Sequence, residues 1–132
     1  MSIEELFQTR MEFSDFELIT YEKGHFAGKI RVNDTDTNLY GNVHGGFLFT
    51  LCDNASVLVA YSLGYFAVSM NASISYLKAA KKDEVLRIEA YAIHAGKTTS
   101  VVEVEILNAE GELICKATFT MFNSVKIDEN RS

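Results

Sequence analysis

The sequence predicts an α+β fold, an antiparallel sheet of about five strands packed around one long central helix. Three observations carry that expectation. Gly46 to Leu63 reads GFLFTLCDNASVLVAYSL, apolar on every side of a helical projection except around Asp53 and Asn54, and a helix with so little polar surface is usually buried. Four long runs of β type follow, separated by short turns as antiparallel neighbours are. One earlier run, HFAGKIRVN from His25 to Asn33, has the same character.

Ser2 and Glu5 have capping-box spacing, and Ile3, Leu6, Phe7 and Met11 recur at helical intervals. A short amphipathic helix is therefore expected to open the chain as a lid or brace. After the first strand, NDTDTNLYGN has no apolar period and reads as a loop leading into the long helix. Beyond Gly64 come YFAVSMNASISYLKAA, EVLRIEAYAIHAG, KTTSVVEVEILN and ELICKATFTMFNSV. Turn signals lie at Lys81 to Asp83, at Ala95 and Gly96, and at Asn108 to Gly111, so the last part of the chain is expected to be a meander. In VVEVEIL, Glu103 and Glu105 share one face while Val102, Val104 and Ile106 share the other.

With 132 residues, 48% of them hydrophobic, the chain suffices for one domain with a substantial core, and residues 1–132 are read as that single domain. Twelve Lys and Arg against eighteen Asp and Glu leave a formal charge of -6, which disfavours nucleic acid and anionic membrane surfaces as partners. MSIEELFQTR lacks the basic start and apolar run of a secretory signal, so the cytoplasm is the expected location. The long helix approaches membrane-span length, but a central Asp is expensive in lipid. Cys52 and Cys115 lack metal spacing and are too few for a disulfide framework, so they read as reduced core thiols. No three ligand-type residues have zinc spacing, and no metal is expected.

Asp53 is the residue that calls for chemistry. An unpaired carboxylate inside such a helix costs several kcal/mol or more, so it must find partners, lose its charge or line a cavity. Immediately before the helix lies NLYGNVHGG, a polar and glycine-rich approach from Asn38 to Gly46.

NLYGNVHGGFLFTLCDNAS, then AVSMNASISYLKAA, then HAGKTTSVVEVEILNAEGELICKATFTMF together resemble the hotdog-fold acyl-CoA thioesterases of the phenylacetate-degradation type, within the hydroxybenzoyl-CoA thioesterase superfamily. The resemblance runs from Val32 to Phe122 and rests on Asn38, the triplet His44, Gly45 and Gly46, and Asp53 at fixed intervals, with the AGKT turn downstream. It implies a hotdog fold, pairing of two subunits into one continuous sheet, often a further pairing into homotetramers, and hydrolysis of acyl-CoA with no cofactor. By position, Asp53 matches the catalytic acid that deals with the attacking water. Asn38 and the Gly45 N–H match the groups that hold the thioester carbonyl, Ser69 falls where a hydroxyl helps position the water, and His44 supports the loop. Ala79 and Ala80 stand where many members have a proline.

Thioester hydrolysis puts negative charge on the carbonyl oxygen, and a helix N-terminus offers free N–H donors and a positive dipole end. Gly45 and Gly46 sit there and let a substrate approach the backbone closely. From Gly46 to Asp53 is seven positions, about 700° of rotation and ~10 Å of rise. The two share a face, yet donors and carboxylate must each come within about 3 Å of one reacting group. Two antiparallel helices meeting across a dimer would bring Asp53 of one chain towards Gly45 of the other. Whether Asp53 activates water or attacks directly stays open.

For CoA phosphates, Lys78, Lys81, Lys82 and Arg87 cluster around one turn, and Lys97 with Thr98 follows Gly96 at the next. Tyr40, in the loop before the glycines, is the candidate for substrate contact. Phe47, Phe49, Tyr61, Tyr65 and Phe66 either line an acyl pocket or fill the core. Two other readings are a non-catalytic acyl-CoA or lipid-binding module on the same scaffold, and an acyl-thioester dehydratase using His44 with an acid. His25 and His94 have no supporting constellation.

Overall fold

The computed structural model describes residues 2, 4, 5, 11, 15–33 and 36–127. Its elements are β1 (Phe16–Glu22), β2 (His25–Arg31), α1 (Gly45–Ser62), β3 (Tyr65–Tyr76), β4 (Val85–Ala95), β5 (Thr99–Leu107) and β6 (Leu113–Lys126). Most of the expected opening helix lies outside the described residues. Within them, Ser2 Oγ accepts the Glu5 N–H at 3.1 Å, the capping contact that the spacing implied. The Glu4 carboxylate accepts the Leu18 N–H at 2.8 Å.

The sheet has six strands where about five were expected. β1 is the addition, and a bulge between Leu18 and Thr20 explains why its sequence shows no clean alternation. Gly24, at φ +79°, allows the tight turn from β1 into β2. β3 ends four residues short of the expected run, because the Leu77 and Lys78 N–H groups both turn to the Ile114 carbonyl, at 2.9 and 3.1 Å.

Strand order is β1-β2-β4-β5-β6-β3, with antiparallel neighbours throughout. β4, β5 and β6 form the expected meander. β3 does not join β4; it pairs with β6 at the far edge, so the Lys81 to Asp83 turn belongs to a crossover rather than a hairpin. The cause is α1, which packs on one face of the sheet and delivers the chain to the free side of β6. The return passes the start of the helix, where the Val43 N–H bonds Ala80 O at 2.7 Å and the Asp83 N–H bonds Val32 O at 3.0 Å.

Alternation along β5 buries Ser100, Val102, Val104 and Ile106 and leaves Glu103 and Glu105 on the outer face. The buried residues share a core with Leu51, Ala55 and Leu58 of α1, and each large apolar side chain adds about 1.5–3 kcal/mol when fully buried. Cys52 and Cys115 lie free within that core. The neighbouring Cys115 sulfur and burial push the Cys52 thiol up, so it stays protonated.

α1 departs from the all-round burial its sequence suggested. Gly46, Phe49, Asp53, Val57 and Tyr61, spaced by three or four, form a stripe that is exposed or half-buried. One sheet covers one side of a helix, and the composition of the other side asks for a further cover. No helix among the described residues is long and apolar enough to cross a membrane.

Candidate active site

His44 caps α1. Its backbone is extended at φ -78°, ψ 151°, and its Nδ1 accepts the Phe47 N–H at 3.1 Å. Its carbonyl takes Phe47 and Leu48 N–H, at 3.1 and 3.4 Å. The Gly45 and Gly46 N–H groups have no partner among the described residues, as expected of a first turn. No acidic side chain lies in that turn to neutralise the dipole. The helix therefore starts with two free donors in a positive field.

The approach loop is shaped by Asn38, whose Oδ1 accepts the Tyr40 N–H at 2.9 Å and the Asn42 N–H at 3.2 Å. Its own N–H bonds Asn42 O at 2.7 Å, while His44 N–H bonds Asp36 O at 3.1 Å. With the amide oxygen committed to the turn, the Nδ2 group is the part of Asn38 that remains to donate outward. Leu39 and Tyr40 project from the chain, at 100% and 86% exposure.

Two turns along α1, on the open stripe, Asp53 is half-buried, and the Ser69 hydroxyl donates to its Oδ1. The same hydroxyl lies 3.5 Å from Met121 Sδ. Asp53 is thus partnered by a hydroxyl from β3 rather than by its neighbour Asn54. The register continues through Ser69, Met121 and Ser100 across β3, β6 and β5, which sets the AGKT turn at this end of the sheet. There Asn123 holds the turn: its N–H bonds Thr98 O at 2.8 Å, and its Nδ2 bonds Gly96 O at 3.0 Å. Asn123 is a buried residue that the sequence reading passed over.

The proposed phosphate-binding lysines fall into two separate groups. Lys97 and Thr98 sit by the Thr99 to Phe122 pairing, whereas Lys78, Lys81 and Lys82 lie beyond the Tyr76 to Cys115 pairing, roughly 23 Å away along β6. Lys78 is ion-paired with Glu112, and Arg87 with Glu89 at 2.6 Å. Lys78 and Asn108 hold the Glu112 carboxyl below its usual range. Beside the helix start is a groove of about 340 Å³, lined by Asn42, Gly45, Leu48, Tyr76, Lys78 and Ala80 among others. Asp53 does not line it.

One chain therefore brings Asp53 to Ser69, and Gly45, between His44 and Gly46 at the helix start, to the groove, without joining the two groups. His25 is better connected than its sequence suggested. It meets Glu89 at 3.0 Å and Glu22 at 3.4 Å, and it stacks on Tyr91 with centroids 4.4 Å apart. That cluster stands on β1, β2 and β4. Among the described residues no three His, Cys, Asp or Glu side chains converge as a metal site.

The thioesterase superfamily profile matches residues 40–115. Human acyl-coenzyme A thioesterase 13 is 33% identical over 106 residues, covering 78% of this chain and 76% of that protein. Acyl-coenzyme A thioesterase PaaI of Escherichia coli K12 is 29% identical over 98 residues, 74% of this chain and 70% of that one. A hypothetical thioesterase from Streptococcus pneumoniae, crystallised with coenzyme A, superposes with a TM-score of 0.85 at 46% identity, over 88% of this chain and 94% of that one. Further structures of the pneumococcal protein carry one Asp-to-Ala and one Thr-to-Ala change at positions sixteen apart, the separation of Asp53 and Ser69 here.

Proposed function

The chain belongs to the thioesterase superfamily, and from that premise we infer that it is an acyl-CoA thioesterase, hydrolysing acyl-CoA to a free acid and CoA. The observation that carries this reading is the Asp53 carboxylate, held by the Ser69 hydroxyl on the open stripe of a helix whose first turn has two unpartnered N–H donors.

In the proposed reaction, Asp53 takes the proton of a water positioned by Ser69 as that water attacks the thioester carbon. The Gly45 N–H, with Asn38 Nδ2, stabilises the negative charge that develops on the oxygen. Collapse of the tetrahedral intermediate expels the CoA thiolate. Direct attack by Asp53, through an anhydride that water then opens, uses the same residues. Acid and thiol are the products by either route.

From Gly45 to Asp53 is eight positions, ~12 Å along the helix axis, so we assign the two halves of each site to different subunits of a homodimer. Support comes from β3, an edge strand of twelve residues exposing Phe66, Val68 and Met70 at 54%, 56% and 60%. An unpaired edge of that length and apolarity invites pairing with another strand. Pairing β3 with its copy would extend the sheet and set the two α1 helices side by side across it. A homotetramer would follow from a second such pairing. Each 132-residue chain acts as one domain, in the cytoplasm.

The CoA phosphates are assigned to Lys97 and the Thr98 turn, and to Lys81 and Lys82, with Lys78 joining once it leaves Glu112. Tyr40 and Gly46 contact the substrate from the approach loop and the first turn. The dehydratase alternative is left without a base at His44, because Nδ1 accepts the Phe47 N–H and a neutral ring then carries its proton on Nε2.

The test is thiol release from short-chain, medium-chain, long-chain and aryl acyl-CoAs, with Asp53→Ala measured alongside. Turnover of one or more members that vanishes in the variant supports the reading. Saturable binding across the panel without thiol release would favour the non-catalytic binding module.

A further inference from the structure

At the start of α1, Tyr76 Oη donates to Gly45 O at 3.0 Å. Its ring comes within 3.0 Å of the point where a Cβ on residue 45 would stand. Tyr76 is 51% exposed, so core packing does not explain this contact.

The strand geometry makes the contact specific. Ser69 and Tyr76 are seven positions apart, and on a regular strand they would point to opposite faces of the sheet. The bulge between Ser69 and Asn71 adds one residue to β3 and brings both side chains onto α1, Ser69 at Asp53 and Tyr76 at Gly45. One edge strand thus supports both halves of the machinery.

We propose that Tyr76 is a positioning residue for the oxyanion donors, its hydroxyl fixing and polarising the Gly45 to Gly46 peptide that begins α1. This rests on the thioesterase reading above. Gly45 O and the Gly46 N–H belong to one peptide unit, so a donor on the oxygen strengthens the N–H on the other side. Two consecutive glycines restrain their own backbone little. The hydroxyl of Tyr76 supplies the restraint at Gly45, which lines the groove, and makes the Gly46 N–H a second, strengthened donor beside the Gly45 N–H assigned above. Partial desolvation, with the Cys115 sulfur beside it, pushes the phenol up from its ordinary value. Tyr76 touches no reacting atom and acts through the peptide.

Losing one oxyanion donor costs about 10²- to 10³-fold in kcat, and a neighbouring hydrogen bond strengthens a donor by roughly 10–30%. Tyr76→Phe, which keeps the ring, is therefore expected to lower kcat by roughly two- to eightfold with KM unchanged. The second readout is the infrared carbonyl band of an acyl-CoA bound to Asp53→Asn, in which hydrolysis is blocked. Adding Tyr76→Phe to that background is expected to move the band to higher frequency, because the oxygen is less polarised. A kcat equal to the parent's, or a fall in kcat without the band shift, overturns the proposal while an inactive Asp53→Asn leaves the thioesterase reading standing. No thiol release from the parent with any acyl-CoA overturns the reading and the proposal together.

Discussion

Ser69→Ala removes the hydroxyl that donates to Asp53 and leaves the strand otherwise intact. A hydrogen bond to a charged group nets about 1.5–3 kcal/mol. Ser69 is exposed and Asp53 only half-buried, so water screens the pair and the lower end of that range applies. About 1.4 kcal/mol is tenfold in rate. If the hydroxyl orients the carboxylate and its water in the transition state, kcat/KM for the best acyl-CoA should fall about tenfold. Ser69→Thr keeps the hydroxyl and should stay close to the parent. Thermal stability should move little in either variant, because exposed substitutions usually lie within about 0.5 kcal/mol. The assay is initial-rate thiol release at several substrate concentrations, with a thermal melt as control. An alanine variant as fast as the parent would refute the reasoning, as would a threonine variant as slow as the alanine one.

Gly45→Ala puts a methyl group 3.0–3.3 Å from the Tyr76 ring and hydroxyl, which must shift the first turn and its donors, so thiol release should drop by about 10²-fold or more while circular dichroism is unchanged. In Gly28→Ala the new Cβ would lie 2.3 Å from the ring of Phe16, which is 2% exposed. Overpacking of that kind costs about 1–3 kcal/mol, read as a lower midpoint in urea with activity retained in the folded fraction. Val68→Lys would be silent in a monomer, since Val68 is already 56% exposed. A dimer paired through β3 should dissociate in this variant, seen as a shift in sedimentation velocity together with loss of turnover. Burial raises the Glu89 carboxyl, but hydrogen bonds from His25, Arg87 and Tyr91 outweigh it and hold it below its ordinary value. A carboxyl lowered on folding adds stability above its unfolded pKa, and that increment is lost as pH falls through the folded value. Glu89→Gln should therefore melt earlier than the parent near neutral pH, with the gap closing below about pH 4.

The elements legible in the sequence were those with an uninterrupted period. β5 alternates without a break, and its inner and outer faces fall where VVEVEIL assigns them. The long apolar run became α1, one residue displaced, with Asp53 and Ser69 in contact. What stayed hidden depended on irregularity or on long-range placement. The bulge in β1 masked a strand, and the bulge in β3 masked the shared orientation of Ser69 and Tyr76. The place of β3 beside β6 follows from where α1 delivers the chain, which no local turn signal encodes. Asn123 reads as an ordinary strand residue until the β4 to β5 turn folds onto it. The openness of α1 along Asp53 was equally invisible, because an apolar helix face looks the same whether its own sheet or a second subunit covers it.

The central claim is that each site joins the carboxylate of one chain to the helix-start donors of another, and mixing two inactive variants tests it most directly. Asp53→Ala and Gly45→Ala subunits would be unfolded together, refolded and assayed for thiol release. About half of the dimers would then be mixed, each holding one intact site formed by Asp53 of one subunit and Gly45 of the other. The expected result is recovery of about a quarter of the parent activity from two preparations that are inactive alone. A mixture as inactive as its components, with mixed dimers demonstrated by mass, would contradict the shared site.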